Sequence, residues 1–208
     1  MVEIREIGLE KEIFLLNKQG EIMEPSMYGF PSDEMGFLIE IRSLPSDRFY
    51  PVYMTIHQEE LQYKLRADKF GMHTIPDTNM YATPEFVENI IAKYRILEFT
   101  DFTKNIYGVK GSHHLGIFSE PGTDCSKLTA GIHVHFSSRD SETGEVLQLP
   151  VENIVRQMDE VFEQEIKESG RLKGEWEPKK HGFEYRSLPC NADIYKVLKE
   201  SFKILREV

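Results

Sequence analysis

At 208 residues, with 40% hydrophobic and 29% charged residues, the chain has the make-up of one globular domain with a substantial core, not of a disordered segment. A formal net charge of −10 and an isoelectric point of about 5.2 argue against a nucleic-acid or anionic-membrane surface as its main business. Cys125 and Cys190 stand far apart with no CxxC pair, which excludes a disulfide framework or zinc knuckle and fits a reducing, cytoplasmic setting.

The first residues alternate charge without an apolar core segment, so no signal peptide is expected. No apolar run approaches the ~20 residues that span a bilayer, and a soluble protein is expected. Residues 4–16 are predicted as a strand. Side chains repeat every second residue along a strand, so Glu10 and Glu12 share a face. Phe14 and Leu16 have the same parity, which sets the acids in line with apolar residues rather than opposite them. Neighbouring acids on a sheet repel unless a cation or proton lies between them. That points to a metal; a charged strand end reaching into water is the plainer alternative.

Residues 17–20 form a tight turn into a short strand at 21–23, followed by a loop rich in Pro, Ser and Gly. Residues 36–44 read as a strand stopped by Pro45, with Glu40 and Arg42 on one face and Phe37, Ile39 and Ile41 on the other. Residues 56–70 show helical spacing ended by Gly71. A loop runs from His73 to Thr83, which caps a helix with Pro84 at its first position and Phe86, Ile90, Ile91 and Tyr94 along its stripe. Residues 108–116 are Gly-rich, 114–118 resemble a strand, and 120–127 a turn.

Further strands are predicted at 128–136 and 183–189. A helix at 149–168 is introduced by Pro150, a charged link covers 167–180, and Asn191 caps a final helix. With no repeats and no clear linker, residues 1–208 are expected to form a single α+β domain, a mainly antiparallel sheet backed by helices. Nothing in the pattern fixes the oligomeric state.

Three further features join Glu10 and Glu12. Asp33 precedes Glu40; His133 and His135 share a strand face, after a glycine that lets something approach the backbone; Glu184 and Arg186 share another. Each has an ordinary reading: a turn aspartate, a structural His-x-His, a cross-strand ion pair. The contiguous pair His113 and His114 points its rings opposite ways, and neither cysteine has a local base that would make it a nucleophile. Taken together, four strands each present acids or imidazoles on one side. Carboxylates with a single imidazole suit Mg²⁺ or Mn²⁺, and arginine among them suits a phosphate. Metal ions and arginine around phosphate oxygens are the recipe for phosphoryl transfer.

Gly8-x-Glu10-x-Glu12, "DEMGFLIEIRSLP" from Asp33 through Glu40 to Pro45, "TAGIHVHFS" at 129–137 and "FEYRSLP" at 183–189 give the chain a resemblance to the glutamine synthetase and glutamate–cysteine ligase superfamily. The four motifs, in order and near both ends, look most like its small phage-type amidoligase branch. The resemblance implies a curved, mainly antiparallel sheet of the glutamine-synthetase catalytic type. It implies ATP and Mg²⁺ or Mn²⁺ as cofactors, and amide formation between a carboxylate and an amine, small-molecule or peptide, through an acyl phosphate.

Carried over by motif, the metal ligands are Glu10, Glu12, Asp33, Glu40, His133 and Glu184, with Glu12, Asp33 and Glu40 around one ion. Glu10, Glu184 and Arg186 form the catalytic group, Arg186 stabilising the transferred phosphoryl. His135 lies near the phosphates with Arg186. Arg42 joins these nucleotide-side candidates, with a substrate carboxylate or a brace across the sheet as its other uses. Another metal-dependent phosphotransferase or hydrolase, or a non-catalytic binding module with the same sheet, stand as alternatives.

Overall fold

The computed structural model describes residues 3–33, 36–83, 85–86, 89 and 127–208. Its strands are β1 (Glu3–Leu16), β2 (Ile39–Arg42), β3 (His73–Ile75), β4 (Asn79–Tyr81), β5 (Lys127–Thr129), β6 (Gly131–Asp140), β7 (Trp176–Lys179) and β8 (Gly182–Pro189). Its helices are α1 (Phe49–Lys69), α2 (Val151–Val161), α3 (Glu163–Ser169) and α4 (Ile194–Glu207), with a 3₁₀ turn at Pro25–Tyr28. The fold is α+β. The main sheet runs β2-β1-β6-β8-β7, with β3 also on β1; β4 and β5 pair separately. The pairings of β1 with β6 and of β8 with β6 and β7 are antiparallel. No helix among the described residues is long and apolar enough to cross a membrane.

By its internal contacts the chain divides into two compact units: residues 1–11, 41–60 and 131–208, and residues 12–40 and 61–130. In the first, alternation decides what is buried. Ile7 and Leu9 on β1, Ile132, Val134 and Phe136 on β6, and Phe183, Tyr185 and Leu188 on β8 make one fully buried apolar face. Helices α2 and α3 pack on β8, and α2 on α4, offering Ile154, Met158, Val197, Leu198 and Leu205 as their own buried side. Each such side chain contributes about 1.5–3 kcal/mol on burial. Arg5 donates to the carbonyls of Leu205 and Val208 at 2.6 and 2.9 Å, closing the C-terminal end of α4.

Tyr185 ties sheet to helix, its hydroxyl donating to Asp159 of α2 at 2.7 Å. Burial first, and then the Asp159 carboxylate, push the phenol far above the ordinary tyrosine range. A raised acid keeps its proton in the folded state after the unfolded chain has lost it. The stability this contributes is therefore complete below about pH 10 and declines above it. Tyr185→Phe is expected to cost about 1.5–3 kcal/mol in urea unfolding at pH 7, and to flatten the alkaline fall in stability seen in the parent protein.

In the second unit, Phe14, Leu15 and Leu16 of β1 pair with Ile75, Thr74 and His73 of β3. Phe30 packs edge-on to Tyr63 and lies under the Arg66 guanidinium at 4.9 Å. The turn at 17–20 forms as expected, with Gly20 at φ 81°. The strand expected at 21–23 is reduced to a bridge between Leu16 and Ile22, and that at 36–44 to Ile39–Arg42.

Helix α1 begins at Phe49, ahead of the expected Ile56, because Pro51 is tolerated within a first turn. The loop expected from His73 contains β3 and β4, and the charged link contains β7. The single helix expected at 149–168 is interrupted at Phe162, whose φ of −109° leaves the helical range while its ring stays buried. Helix α4 is capped by Asp193, not Asn191: the Asp193 carboxylate accepts from the N–H groups of Tyr195 and Lys196 at 2.8 and 3.3 Å. Thr83 Oγ1 accepts from Phe86 N–H at 3.2 Å, as a cap there requires. The rest of that helix, the stretch 108–118, the turn at 120–126, His113, His114 and Cys125 lie outside the described residues. Cys190 is buried.

Candidate metal centre

The face of the sheet opposite that apolar layer carries the charge. Register sets Glu10 on β1 across from His133 on β6, His135 across from Glu184 on β8, and Glu184 across from Glu177 on β7. The register of β6 against β8 shifts between Ile132 and Val134. Two residues of β8, Arg186 and Ser187, therefore sit where His133 has its partner. The glycine ahead of His133 does admit a close neighbour. A Cβ on Gly131 would meet the Arg171 guanidinium at 2.8 Å, and that group donates to the Arg186 carbonyl at 2.7 Å.

His133 Nδ1 lies 3.0 Å from Glu184 Oε1 and 3.3 Å from Glu10 Oε1, so one imidazole joins acids from two flanking strands. The ring is fully buried. A Glu10 carboxylate oxygen and a His133 nitrogen thus lie within reach of one ion, and Glu12, two residues on along the same strand, is buried. Carboxylates with one imidazole are the donor set of a hard divalent ion that keeps water ligands, and so fit Mg²⁺ or Mn²⁺. Glu10 Oε2 accepts from Arg42 Nε at 3.0 Å and lies 3.6 Å from His135 Nε2.

Glu177 and Lys179 complete the face. Lys179 Nζ lies 2.7 Å from Glu184 Oε2 and 2.8 Å from Glu177 Oε1, and Arg186 lies 2.7 Å from Glu177 Oε2 and 3.5 Å from Glu184 Oε1. Burial works to raise the Glu184 carboxyl. The His133 hydrogen bond and the positive charges of His133, Arg186 and His135 outweigh it and hold the group far below the usual carboxylate range. Burial likewise opposes the Lys179 charge, but Glu184 and Glu177 keep that ammonium above its ordinary value. The carboxylates of Glu10, Glu177 and Glu184 are thus met by Arg42, Lys179 and Arg186 within the protein itself.

Of the residues singled out from the sequence, Glu10, His133, His135, Glu184, Arg186 and Arg42 converge on this face. Asp33 and Glu40 belong, with Glu12, to the other unit. Asp33 Oδ1 accepts from the N–H groups of Phe37 and Leu38 at 3.1 and 2.9 Å, the work of a turn aspartate. Neither Asp33 nor Glu40 joins a group of three ligating atoms among the described residues.

Glu177, Lys179 and His181 were not singled out, although Glu177-Pro-Lys179 repeats the acid-x-base form of Glu40-x-Arg42 and Glu184-x-Arg186. Pro178 is compatible with β7 because that strand is a sheet edge. Comparison of the chain with protein-family models, with curated proteins and with solved structures finds no match.

Proposed function

We propose that the protein is an ATP-dependent carboxylate–amine ligase whose polar sheet face holds divalent ions, on a mainly antiparallel sheet related to the glutamine-synthetase catalytic type. One observation carries the reading: Glu10, His133 and Glu184, from three adjacent strands, meet at the His133 imidazole. Glu10 and His133 hold the ion, and Glu184 orients the His133 ring through Nδ1. Bound Mg²⁺ or Mn²⁺ supplies neutralisation of phosphate oxygens. Arg186, held by Glu177, presents its guanidinium to the phosphoryl group in transfer, and His135 and Arg42 face the nucleotide side. The substrates are a carboxylate and an amine, free or in a peptide. The acidic chain with two distant cysteines supports a cytoplasmic setting.

A second reading is favoured by the cation already beside each acid: a binding module whose polar face is neutralised without metal. The test is ADP release in the presence of Mg²⁺ or Mn²⁺. The ligase requires both a carboxylate and an amine for turnover. A kinase leaves a stable phosphorylated product with no amine requirement. Calorimetry showing no heat with ATP and Mg²⁺ would establish the binding module instead.

A further inference from the structure

We infer that the protein has a second metal site for a borderline transition ion of the zinc class, built from His135 Nε2, His181 and the Glu10 oxygen turned away from His133. It goes beyond the ligase reading and stands or falls without nucleotide.

The hairpin between β7 and β8 leaves Lys180 and His181 as its two-residue loop, because Lys179 pairs with Gly182. The loop brings the His181 ring back over β6, where its centroid lies 5.7 Å from that of His135, tilted by 38°. Two imidazoles sharing one ion at about 2.1 Å place their ring centres roughly 5–6 Å apart. The rings are therefore spaced for a common ion.

The third donor is geometrically marked. His135 Nε2 and Glu10 Oε2 are 3.6 Å apart, beyond hydrogen-bond reach. Two metal bonds of about 2.1 Å opened to roughly 120° span about 3.6 Å, close to tetrahedral zinc geometry. Glu10 Oε1 meanwhile points to His133, while Oε2 also accepts from Arg42 Nε at 3.0 Å, so the ion takes the second lone pair of an oxygen that Arg42 already holds in place.

Lys179 does not compete for the nitrogen donors, since its ammonium is engaged by Glu177 and Glu184. Two imidazoles with one carboxylate are a borderline-soft donor set that prefers Zn²⁺, Cu²⁺ or Ni²⁺ to Mg²⁺. Chemistry therefore separates this site from the carboxylate-rich one beside it.

The test is Zn²⁺ binding to the full chain, stripped with EDTA and dialysed, measured by competition with a chromophoric chelator under millimolar Mg²⁺. One equivalent of Zn²⁺ is expected to bind at micromolar or better affinity without displacement by Mg²⁺. His181→Ala, an exposed loop substitution, should weaken it at least tenfold, and Glu12→Gln should leave it within twofold. Absence of Zn²⁺ binding, a His181→Ala affinity within twofold of the parent, or a loss on Glu12→Gln equal to that on His181→Ala would each overturn the site. ADP release is not read in this experiment, so its failure leaves the ligase reading to be judged separately.

Discussion

Glu184→Ala is expected to weaken Mn²⁺ binding by about 10–100-fold, abolish metal-dependent ADP release, and lower stability by about 3–5 kcal/mol. The two losses have different origins. The metal loss follows because His133 Nδ1 loses the acceptor 3.0 Å away that fixes its ring. The stability loss follows because Lys179 and Arg186 keep their charges beside a carboxylate that has gone. Adding Lys179→Met separates them: the pair of changes should recover much of the stability while Mn²⁺ binding stays lost. Electron paramagnetic resonance of free Mn²⁺ and urea unfolding read the two quantities. Glu10→Ala should abolish ADP release in the same way, through direct loss of a ligand. Full activity in both Glu10→Ala and Glu184→Ala would end the ligase assignment.

Gly182→Ala should be among the most damaging single substitutions in the chain, at about 3 kcal/mol or more. Gly182 opens β8 at φ 150°, a backbone state that side chains disfavour, and a Cβ there would lie 2.0 Å from the Phe136 carbonyl oxygen. The obstacle is β6 backbone, which cannot turn aside as a flexible side chain could. Strands β6 and β8 would have to part where they hold His135 opposite Glu184. Gly20→Ala is the control: φ is 81°, but nothing lies within 4 Å of the added carbon, so the cost should be only about 1–2 kcal/mol. Urea midpoints at constant m-value decide it. A Gly182→Ala midpoint no lower than that of Gly20→Ala would mean the strands are not in tight contact there.

Local alternation was enough to assign faces. Within β1, β6 and β8, every second side chain points the same way whatever the strand pairs with, so Glu10 with Glu12, His133 with His135 and Glu184 with Arg186 could be grouped from the sequence. The apolar spacing of α4 was legible for the same reason, since helical periodicity is a property of the segment itself. Its cap was misplaced by two residues because Asn191 and Asp193 are both suitable acceptors and only backbone geometry chooses between them.

Tertiary structure decided which grouped faces meet. Pairing of β1 with β6 joins residues more than a hundred positions apart, β8 adds to the other edge of β6, and the register is set by packing of the apolar face rather than by the acids. The sheet also recruits β7 through β8, an edge strand within a stretch that reads as a charged link, and with it the Glu177 and Lys179 that neutralise the site. A sequence states which side of a strand a charge lies on; only the pairing of strands determines whether that charge meets a metal, a lysine or both.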